Sequence, residues 1–494
     1  MPILQGGYPA PNRLAFQFPI SDTVHDLQIT TNDINDMKRL VDVAQLNQIE
    51  PQDVFAAFAD FQHHEMTPQI FTSRMSRLIP AVPEADESFV SLSLSRIFYA
   101  FDHDDSGTVN MRECVCGVSL LSSGPKSDKL GLSFDWWDSD ADGLLSPEEF
   151  ELYLGSYLRV LIRMTEGGVM HDAQTVDKLV SDTAAHAIKQ IFAGVPSTSE
   201  RRISFKDFGN WYSDGGFDNV GWLEMLDLRK WNISPASETW SLAATGSCAS
   251  EGTETHTEEA QERFSFPLYD DKVMEMTRDD IAYMQRLTTL SGLNKYTPSD
   301  LHKTLEVASE GKYLHKNMFL EAMKDNIPTS TEAHKEFVQQ SFLSIFHAFD
   351  YTRTKDMPAE SVATPVFISG FSLLASGSKS TKLAIAYELM SDSEKGMTQS
   401  QLGLFLSSFL TILIALSNFG KGVSAESNFA SLSQNACKSV ANQIFRDTPQ
   451  RKTDDVISFD EFANWYGECG FEAITWLELL DLRKWRFMVE NSGD

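Results

Sequence analysis

The sequence contains little cysteine and comparatively little positive charge, and both shortages exclude classes of protein. Lysine and arginine number 41 against 70 aspartate and glutamate residues, which gives a formal net charge of −29 at pH 7. A polyanion of this size is repelled by nucleic acid and by anionic lipid, so neither is expected as a primary partner. The five cysteines among 494 residues have no paired spacing, which predicts reduced thiols and an intracellular protein.

Signals for export and for membrane insertion are also scarce. The first residues, MPILQGGYPAP, lack a basic stretch followed by an apolar core. Pro2 stands where N-myristoylation requires glycine. One uncharged stretch, residues 402–419, has 18 residues and approaches the length of a membrane span.

The sequence does contain a long internal repeat. Residues 203–231 read ISFKDFGNWYSDGGFDNVGWLEMLDLRKW, and residues 457–485 read ISFDEFANWYGECGFEAITWLELLDLRKW. Shorter matches recur upstream at a similar offset, so we predict two homologous domains, residues 1–233 and 263–494. The Ser-, Thr- and Glu-rich stretch between them, 234–262, has no apolar periodicity and is predicted to be a linker.

Apolar residues recur at helical spacing in both halves, and alternating strand patterns are nearly absent. We therefore predict an all-α protein with very short β contacts at most. The repeat aligns LGSYLRVLI, from the first half, with LSSFLTILI, from the uncharged stretch, so that Arg159 matches Thr411. A helix position that tolerates arginine in one copy favours a soluble-domain helix, and we predict no membrane span.

Acidic residues are organised in two twelve-residue windows of the first half, DHDDSGTVNMRE at 102–113 (the first loop) and DSDADGLLSPEE at 138–149 (the second loop). A calcium-binding loop places oxygen ligands at positions 1, 3, 5 and 9, a backbone carbonyl at 7, a bidentate Glu at 12 and Gly at 6. Both windows follow this order, with Gly107 and Gly143 at position 6. The predicted metal ligands are Asp102, Asp104, Ser106, the Thr108 carbonyl, Asn110 and Glu113 in the first loop, and Asp138, Asp140, Asp142, the Leu144 carbonyl, Ser146 and Glu149 in the second.

The two windows and the apolar helical stripes before them resemble the EF-hand family of the calmodulin superfamily over about residues 90–160. The resemblance implies that the two loops share a short β contact and bind two Ca²⁺ ions cooperatively. Segments 55–77 and 192–208 resemble further hands without a complete ligand set. The first half is therefore expected to hold four hands, two of them without metal, in a layout similar to that of the regulatory protein of calcineurin and of neuronal calcium sensors.

The second half departs from the calcium pattern. DYTRTKDMPAES at 350–361 brings Arg353 and Lys355 into the first window. MSDSEKGMTQSQ at 390–401 has no Glu at position 12, and QRKTDDVISFDE at 450–461 keeps Glu461 but contains lysine. We predict an EF-hand fold that has lost metal binding. The alternative is that this half retains one weak metal site.

Other chemistry has weaker signals. The turns SSGPKSDKL and ASGSKSTKL lack the glycine spacing of a phosphate-binding loop. His63, His64 and Glu65 lack a second ligand pair for zinc. No nucleophile elbow, HExxH helix or spaced CxxC pair is present, so we predict a non-enzymatic protein.

The repeated WLExLDLRKW segment, 222–231 in the first copy, has two interpretations. It either packs onto its own half or is presented to a partner. Aromatic and leucine residues at helical spacing favour self-packing.

Together these features predict a calcium sensor or regulatory adaptor whose partner is a protein target, for instance a basic or amphipathic helix. Calcium would expose apolar surface to that target. The alternative is a structural component of a cytoskeletal or ciliary assembly with constitutively bound calcium. The predicted localisation is cytoplasmic, with association to the cytoskeleton under the alternative, and the sequence does not specify an oligomeric state.

Overall fold

Two compact units divide the chain, one within Met1–Trp231 and one within Asn232–Arg486. They are seen in a computed structural model. It describes residues 14–18, 27–60, 65–165, 173–195, 201–231, 233–234, 263–270, 272–324, 331–352, 355–391, 396–419, 428–448 and 455–486. The predicted linker, 234–262, lies outside these residues except for Ser234.

The amino-terminal unit begins with a hairpin and continues with pairs of helices. The antiparallel hairpin consists of β1 (Leu14–Phe18) and β2 (Leu27–Thr30), and α1 (Thr31–Val43) follows it. Four helix pairs follow: α2 (Pro51–Phe58) with α3 (Pro68–Leu78), α4 (Glu84–Tyr99) with α5 (Met111–Ser119), α6 (Lys126–Trp137) with α7 (Pro147–Met164), and α8 (Ala173–Gly194) with α9 (Phe205–Ser213). The unit therefore has four helix-loop-helix segments, as the sequence predicts.

Short strands join these helix pairs two by two. They are β3 (Glu65–Met66), β4 (Val109–Asn110), β5 (Leu144–Leu145) and β6 (Ile203–Ser204). Strand β3 pairs with β4, and β5 pairs with β6, both antiparallel. The first loop thus pairs with the segment before it and the second loop with the segment after it.

The predicted β contact between the two acidic loops is therefore wrong. The physical reason lies in the apolar residue at position 8 of each loop, which needs a buried partner across the strand pair. Val109 faces Met66, and Leu145 faces Ile203; all four side chains are buried. The flanking segments kept this apolar residue although they lack a ligand set, so they can supply the buried partner, and each acidic loop pairs with its chain neighbour.

The carboxy-terminal unit has a three-stranded antiparallel sheet in the order β7 (Ile233–Ser234), β8 (Arg263–Tyr269), β9 (Lys272–Thr277). Helix α10 (Arg278–Leu290) follows. The remaining helices are α11 (Pro298–Val307), α12 (Lys316–Lys324), α13 (Glu332–Ala348), α14 (Thr364–Phe371), α15 (Lys379–Met390), α16 (Gln399–Phe419), α17 (Asn428–Asp447) and α18 (Phe459–Trp465).

Here too the loops pair through short β contacts. Strand β10 (Tyr313–His315) pairs with β11 (Ser361–Ala363), and Met397 forms an isolated bridge with Ile457. The predicted fold class, all-α with short β contacts, is confirmed for the residues that the structure describes.

Local sequence explains where many of these helices begin. Proline occupies the first turn of helices such as α2, α3 and α7, where its missing N–H costs no hydrogen bond. Ser146 and Glu149 form a capping box at the start of α7, and Ser458 and Glu461 form one at the start of α18. These caps fix the helices that leave the loops.

Helix α16 contains the uncharged stretch. Within the described part of the chain, it is the helix long and apolar enough to cross a membrane by length and composition, over Gln399–Ser417. Of its most apolar window, 72% is buried inside the fold. This burial favours the predicted role as a core helix.

The repeated WLExLDLRKW segment packs within its own unit. Trp222 and Trp231 are buried, and the Phe16 ring of β1 meets the Trp231 ring at a centroid distance of 4.6 Å. In the other unit Trp476 and Trp485 are buried, and Phe264 of β8 lies 5.3 Å from Trp485. Of the two interpretations of this segment, the structure shows self-packing.

A buried carboxylate and a buried lysine hold the first copy of this segment in place. Glu224 accepts from the ammonium groups of Lys126 at 2.5 Å and Lys230 at 3.1 Å, and from the Tyr212 hydroxyl. The Lys129 Nζ donates to the carbonyls of Leu120 and Leu226, each at 2.8 Å.

The second copy repeats these contacts. Glu478 accepts from Lys379 and from the Tyr466 hydroxyl at 2.7 Å. Lys382 donates to the carbonyls of Leu373 at 2.7 Å and Leu480 at 2.6 Å.

Candidate metal-binding loops

The first loop brings four of its predicted ligands together around the Ser106 hydroxyl. Ser106 Oγ lies 3.4 Å from Asp102 Oδ1 and 3.1 Å from the Thr108 carbonyl, and its single O–H can donate to either oxygen. The Ser106 N–H donates to Asp104 Oδ1 at 3.2 Å. Hydrogen bonding with the Ser106 side chain, and then with its backbone, lowers the pKa of Asp104.

The last two predicted ligands of the first loop lie at the start of α5. Asn110 caps this helix, since its Oδ1 accepts from the backbone N–H groups of Arg112 at 2.9 Å and Glu113 at 3.3 Å. Burial raises the pKa of Glu113, and the positive charge of Arg159 opposes this rise. Arg159, on α7, is itself buried and donates to Asp177 at 2.6 Å and to the Ala100 carbonyl at 3.4 Å.

The second loop has the same turn as the first. Gly143 N–H donates to Asp138 Oδ2 at 2.8 Å, as Gly107 N–H donates to Asp102 Oδ2 at 3.1 Å. Both glycines have a φ of +77°, the left-handed conformation that position 6 requires. Asp102 and Asp138 therefore both point into their loops.

Three aspartates of the second loop form a compact oxygen cluster. One carboxylate oxygen from each of Asp138, Asp140 and Asp142 lies within 4.8 Å of the others. Oxygens bound to one calcium ion at about 2.3–2.6 Å are at most about 5 Å apart, so the cluster fits this ion. Ser146 and Glu149 lie at the start of α7, where Glu149 Oε2 accepts from the Ser146 N–H at 2.9 Å.

A basic residue from outside the second loop reaches into it. Arg202, which directly precedes β6, donates from Nη2 to Asp140 Oδ2 at 3.3 Å and to the Leu144 carbonyl at 3.0 Å. Its Nη1 donates to Asp142 Oδ2. The hydrogen bond from Arg202 lowers the pKa of Asp140. The strand pairing of β5 with β6 brings Arg202 to this position.

A side-chain hydrogen bond links the two loops directly. Arg112 Nη1, at position 11 of the first loop, donates to Ser139 Oγ, at position 2 of the second, at 2.5 Å. This hydrogen bond is exposed to solvent. No strand is shared between the two loops, within the ranges that the structure describes.

In the carboxy-terminal unit the predicted metal-free windows are described in part. Lys355 and Asp350 belong to the described residues, whereas Arg353 lies outside them. Residues 392–395 and 450–454, which belong to the other two windows, also lie outside. So do His63 and His64 of the zinc candidate; Glu65 lies in β3.

Sequence reasoning predicts the ligand positions but missed two arginines beside them. Arg202 lies 60 residues from Asp142 in the chain, and Arg159 lies 59 residues from Ala100. A loop motif of twelve positions contains no information about residues so distant. The one signal available was Arg202 itself, a cation placed immediately before the apolar position 8 of the fourth hand.

Comparison with known proteins finds similarity over about a quarter of the chain. A calcium and calcium/calmodulin-dependent serine/threonine-protein kinase of Oryza sativa subsp. japonica is 30% identical over 135 residues, 27% of this chain and 21% of the kinase. Calcineurin B of Yarrowia lipolytica is 31% identical over 135 residues, 27% of this chain and 66% of that protein. Calcium-binding protein K of Dictyostelium discoideum is 39% identical over 59 residues, 12% of this chain and 31% of that protein. No protein-family model matches the chain.

These similarities support the resemblance to EF-hand calcium-binding proteins over the matched part of the chain. The chain spans about a fifth of the length of the kinases that it matches. The names of the relatives refer to calcium or to calcineurin, which agrees with a general role in calcium binding.

The same comparisons contradict the prediction of a non-enzymatic protein. That prediction rests on the lack of a recognisable catalytic motif, whereas several of the similar proteins are serine/threonine kinases. A catalytic motif is local to the segment that carries it. Its absence therefore gives no information about enzymes that contain a related calcium-binding segment. The chain has relatives among enzymes, and the prediction is withdrawn.

Proposed function

We propose that the chain is a calcium sensor or regulatory adaptor in which the first and second loops each bind one Ca²⁺ ion. One observation carries the proposal. Both loops turn back on their first aspartate through the N–H of a left-handed glycine, and this turn directs the remaining oxygens inward. All twelve predicted ligand atoms are oxygens, which calcium prefers.

The flanking segments support a regulatory use of these sites. Each acidic loop is joined by a short strand pair to a helix pair without a full ligand set. Movement of the helices on calcium binding would therefore pass to that neighbouring pair. The relatives named for calcium dependence and for calcineurin support a protein target as the partner, and we place the protein in the cytoplasm.

The two domains are proposed to have arisen by internal duplication. Each unit has a hairpin, a first helix and four helix pairs in the same order, ending in the repeated tryptophan segment. The carboxy-terminal domain is proposed to keep this architecture without binding metal, and so to supply a constant surface.

Calcium titration by calorimetry tests the proposal. We expect two sites in the wild-type chain and one in each of Glu113→Gln and Glu149→Gln, because the last position supplies two of the oxygens around the ion. Glu148→Gln is the matched control, since it removes the same charge from the adjacent, exposed residue and should leave both sites intact. Absence of calcium heat in the wild type would refute the metal assignment.

A hydrophobic dye added to the same titration separates a sensor from a structural protein. A sensor exposes apolar surface on calcium binding, so dye fluorescence should rise with the calorimetric saturation. Calcium heat without a dye response would favour constitutively bound calcium in a structural assembly.

A further inference from the structure

Arg202 contacts three of the predicted ligands of the second loop at once. They are Asp140, Asp142 and the Leu144 carbonyl, positions 3, 5 and 7 of the calcium-loop pattern. A guanidinium group carries a fork of five N–H donors that suits several oxygen acceptors at once. It also carries a positive charge, which the aspartate cluster attracts.

The position of Arg202 is set by the fold. The residue immediately precedes β6, and the pairing of Leu145 with Ile203 places it across from the second loop. Its side chain is 17% exposed, and its hydrogen bonds to Asp140 and Asp142 lie at the solvent-facing side of the loop. Bonds of this kind, between a charged donor and charged acceptors, are stronger than neutral hydrogen bonds.

Building on the proposed function, we propose that Arg202 is a tethered cation that competes with calcium for the second loop. Calcium binds there by displacing the guanidinium from Asp140, Asp142 and the Leu144 carbonyl. The ion and the guanidinium use the same oxygens, and two positive groups at that spacing repel each other. The arginine thereby sets the calcium concentration at which the second loop fills.

The internal repeat offers a natural comparison. Ile203 aligns with Ile457, so the residue equivalent to Arg202 in the carboxy-terminal domain is Val456. The copy whose loops lack a ligand set also lacks the arginine. Arg202→Val therefore introduces the residue that the carboxy-terminal domain already has at the equivalent position.

The experiment isolates the second loop with a Glu113→Gln background, in which calorimetric heat reports that loop alone. We expect Glu113→Gln/Arg202→Val to bind calcium about tenfold or more tightly than Glu113→Gln, because the arginine-bound fraction no longer has to be displaced. Glu113→Gln/Arg201→Gln is the matched control, since it removes the same charge one residue away. Equal affinity of the Arg202→Val and Arg201→Gln proteins would overturn the proposal.

A second background tests whether the effect belongs to one loop. In Glu149→Gln, Arg202→Val should leave the calcium affinity of the first loop unchanged within about twofold, since the bonds of Arg202 go to the second loop. An equal gain at both loops would reveal a general charge effect and would overturn the proposal. Failure of the proposed function has a different signature, because calcium heat that depends on Glu149 would then be absent from every variant.

Arg202→Lys keeps the test decisive if Arg202→Val does not fold, as judged by circular dichroism. Lysine retains the charge but presents it as a point and not as a fork. The affinity of Glu113→Gln/Arg202→Lys should exceed that of Glu113→Gln by severalfold. No gain in this folded variant would count against the tethered cation.

Discussion

Gly107 and Gly143 show at the scale of single residues what the loops require. A Cβ atom at either position would meet no heavy atom within 4 Å, so crowding is not the reason for glycine. The reason is the φ of +77°, which costs an ordinary residue roughly 1–2 kcal/mol. The first aspartate of each loop accepts the N–H of this glycine. A residue other than glycine would therefore raise the free energy of the conformation that is proposed to bind metal.

Gly143→Ala is expected to weaken calcium binding at the second loop by about five- to thirtyfold, the equivalent of that backbone cost. Calorimetry in the Glu113→Gln background measures the change. Gly209→Ala, within α9, is the control, because its Cβ would also meet nothing within 4 Å while its backbone is helical. It should leave calcium binding unchanged and stabilise the helix by up to about 1 kcal/mol. Similar calcium affinities for the two variants would contradict the argument.

The twelve candidate ligands could be predicted from the sequence because their spacing is local. A loop of twelve residues fixes which oxygen stands at which position, whatever surrounds it. Arg202 could not be predicted, because strand pairing brings it across 60 residues to Asp142. The sequence thus yields the candidate ligands, whose binding of metal stays a prediction, but not the cation that faces them.

At the scale of elements, the repeated tryptophan segment depends on buried charge. Glu224 is almost completely buried, and the side chains of Lys126 and Lys230, which it accepts from, are 13% and 10% exposed. Removing one member of such a group leaves the other charges buried without compensation.

Glu224→Gln should therefore destabilise the amino-terminal domain by about 3–5 kcal/mol. The shift in the midpoint of urea unfolding, followed by circular dichroism, measures it. Glu87→Gln, on the exposed face of α4, is the matched control and should change stability by no more than about 0.5 kcal/mol. A shift for Glu224→Gln as small as that of the control would mean that the segment is held by its tryptophans alone.

Helices were predicted correctly because their apolar residues recur along one face, as the buried Val90, Ile97 and Phe98 of α4 do. The hairpins were not predicted. In β8 burial alternates along RFSFPLY, the pattern of a strand with one buried face. Strand partners were also missed, because the apolar position 8 occurs in four segments and the sequence does not state which of them pair.

At the scale of the whole molecule, the acidity has an organised component. Seven carboxylates of the two loops are among the predicted ligands, within a chain of net charge −29. Each loop belongs to a different strand pair, and the exposed bond from Arg112 to Ser139 is the direct hydrogen bond described between them. The two sites are therefore expected to fill with little mutual influence.

The calcium affinity of the second loop should change by no more than about tenfold between the wild-type chain and Glu113→Gln, since one hydrogen bond contributes about 0.5–1.5 kcal/mol. Global fitting of the two calorimetric titrations measures this coupling. Arg112→Ala, which removes the linking bond, should reduce any remaining coupling. A Hill coefficient well above one in the wild type would contradict the expected independence and would favour cooperative filling.

The pairing of each acidic loop with a helix pair that lacks a full ligand set has a consequence for signalling. Two identical sites that fill together give one sharp response to a rising calcium level. Here oxygens of the first loop lie beside its own serine and oxygens of the second accept from an arginine, so under the proposed function the two calcium thresholds are expected to differ. The expected response has two separate steps, the first loop filling at a lower calcium concentration and the second at a higher one, and each step moves a different part of the same domain.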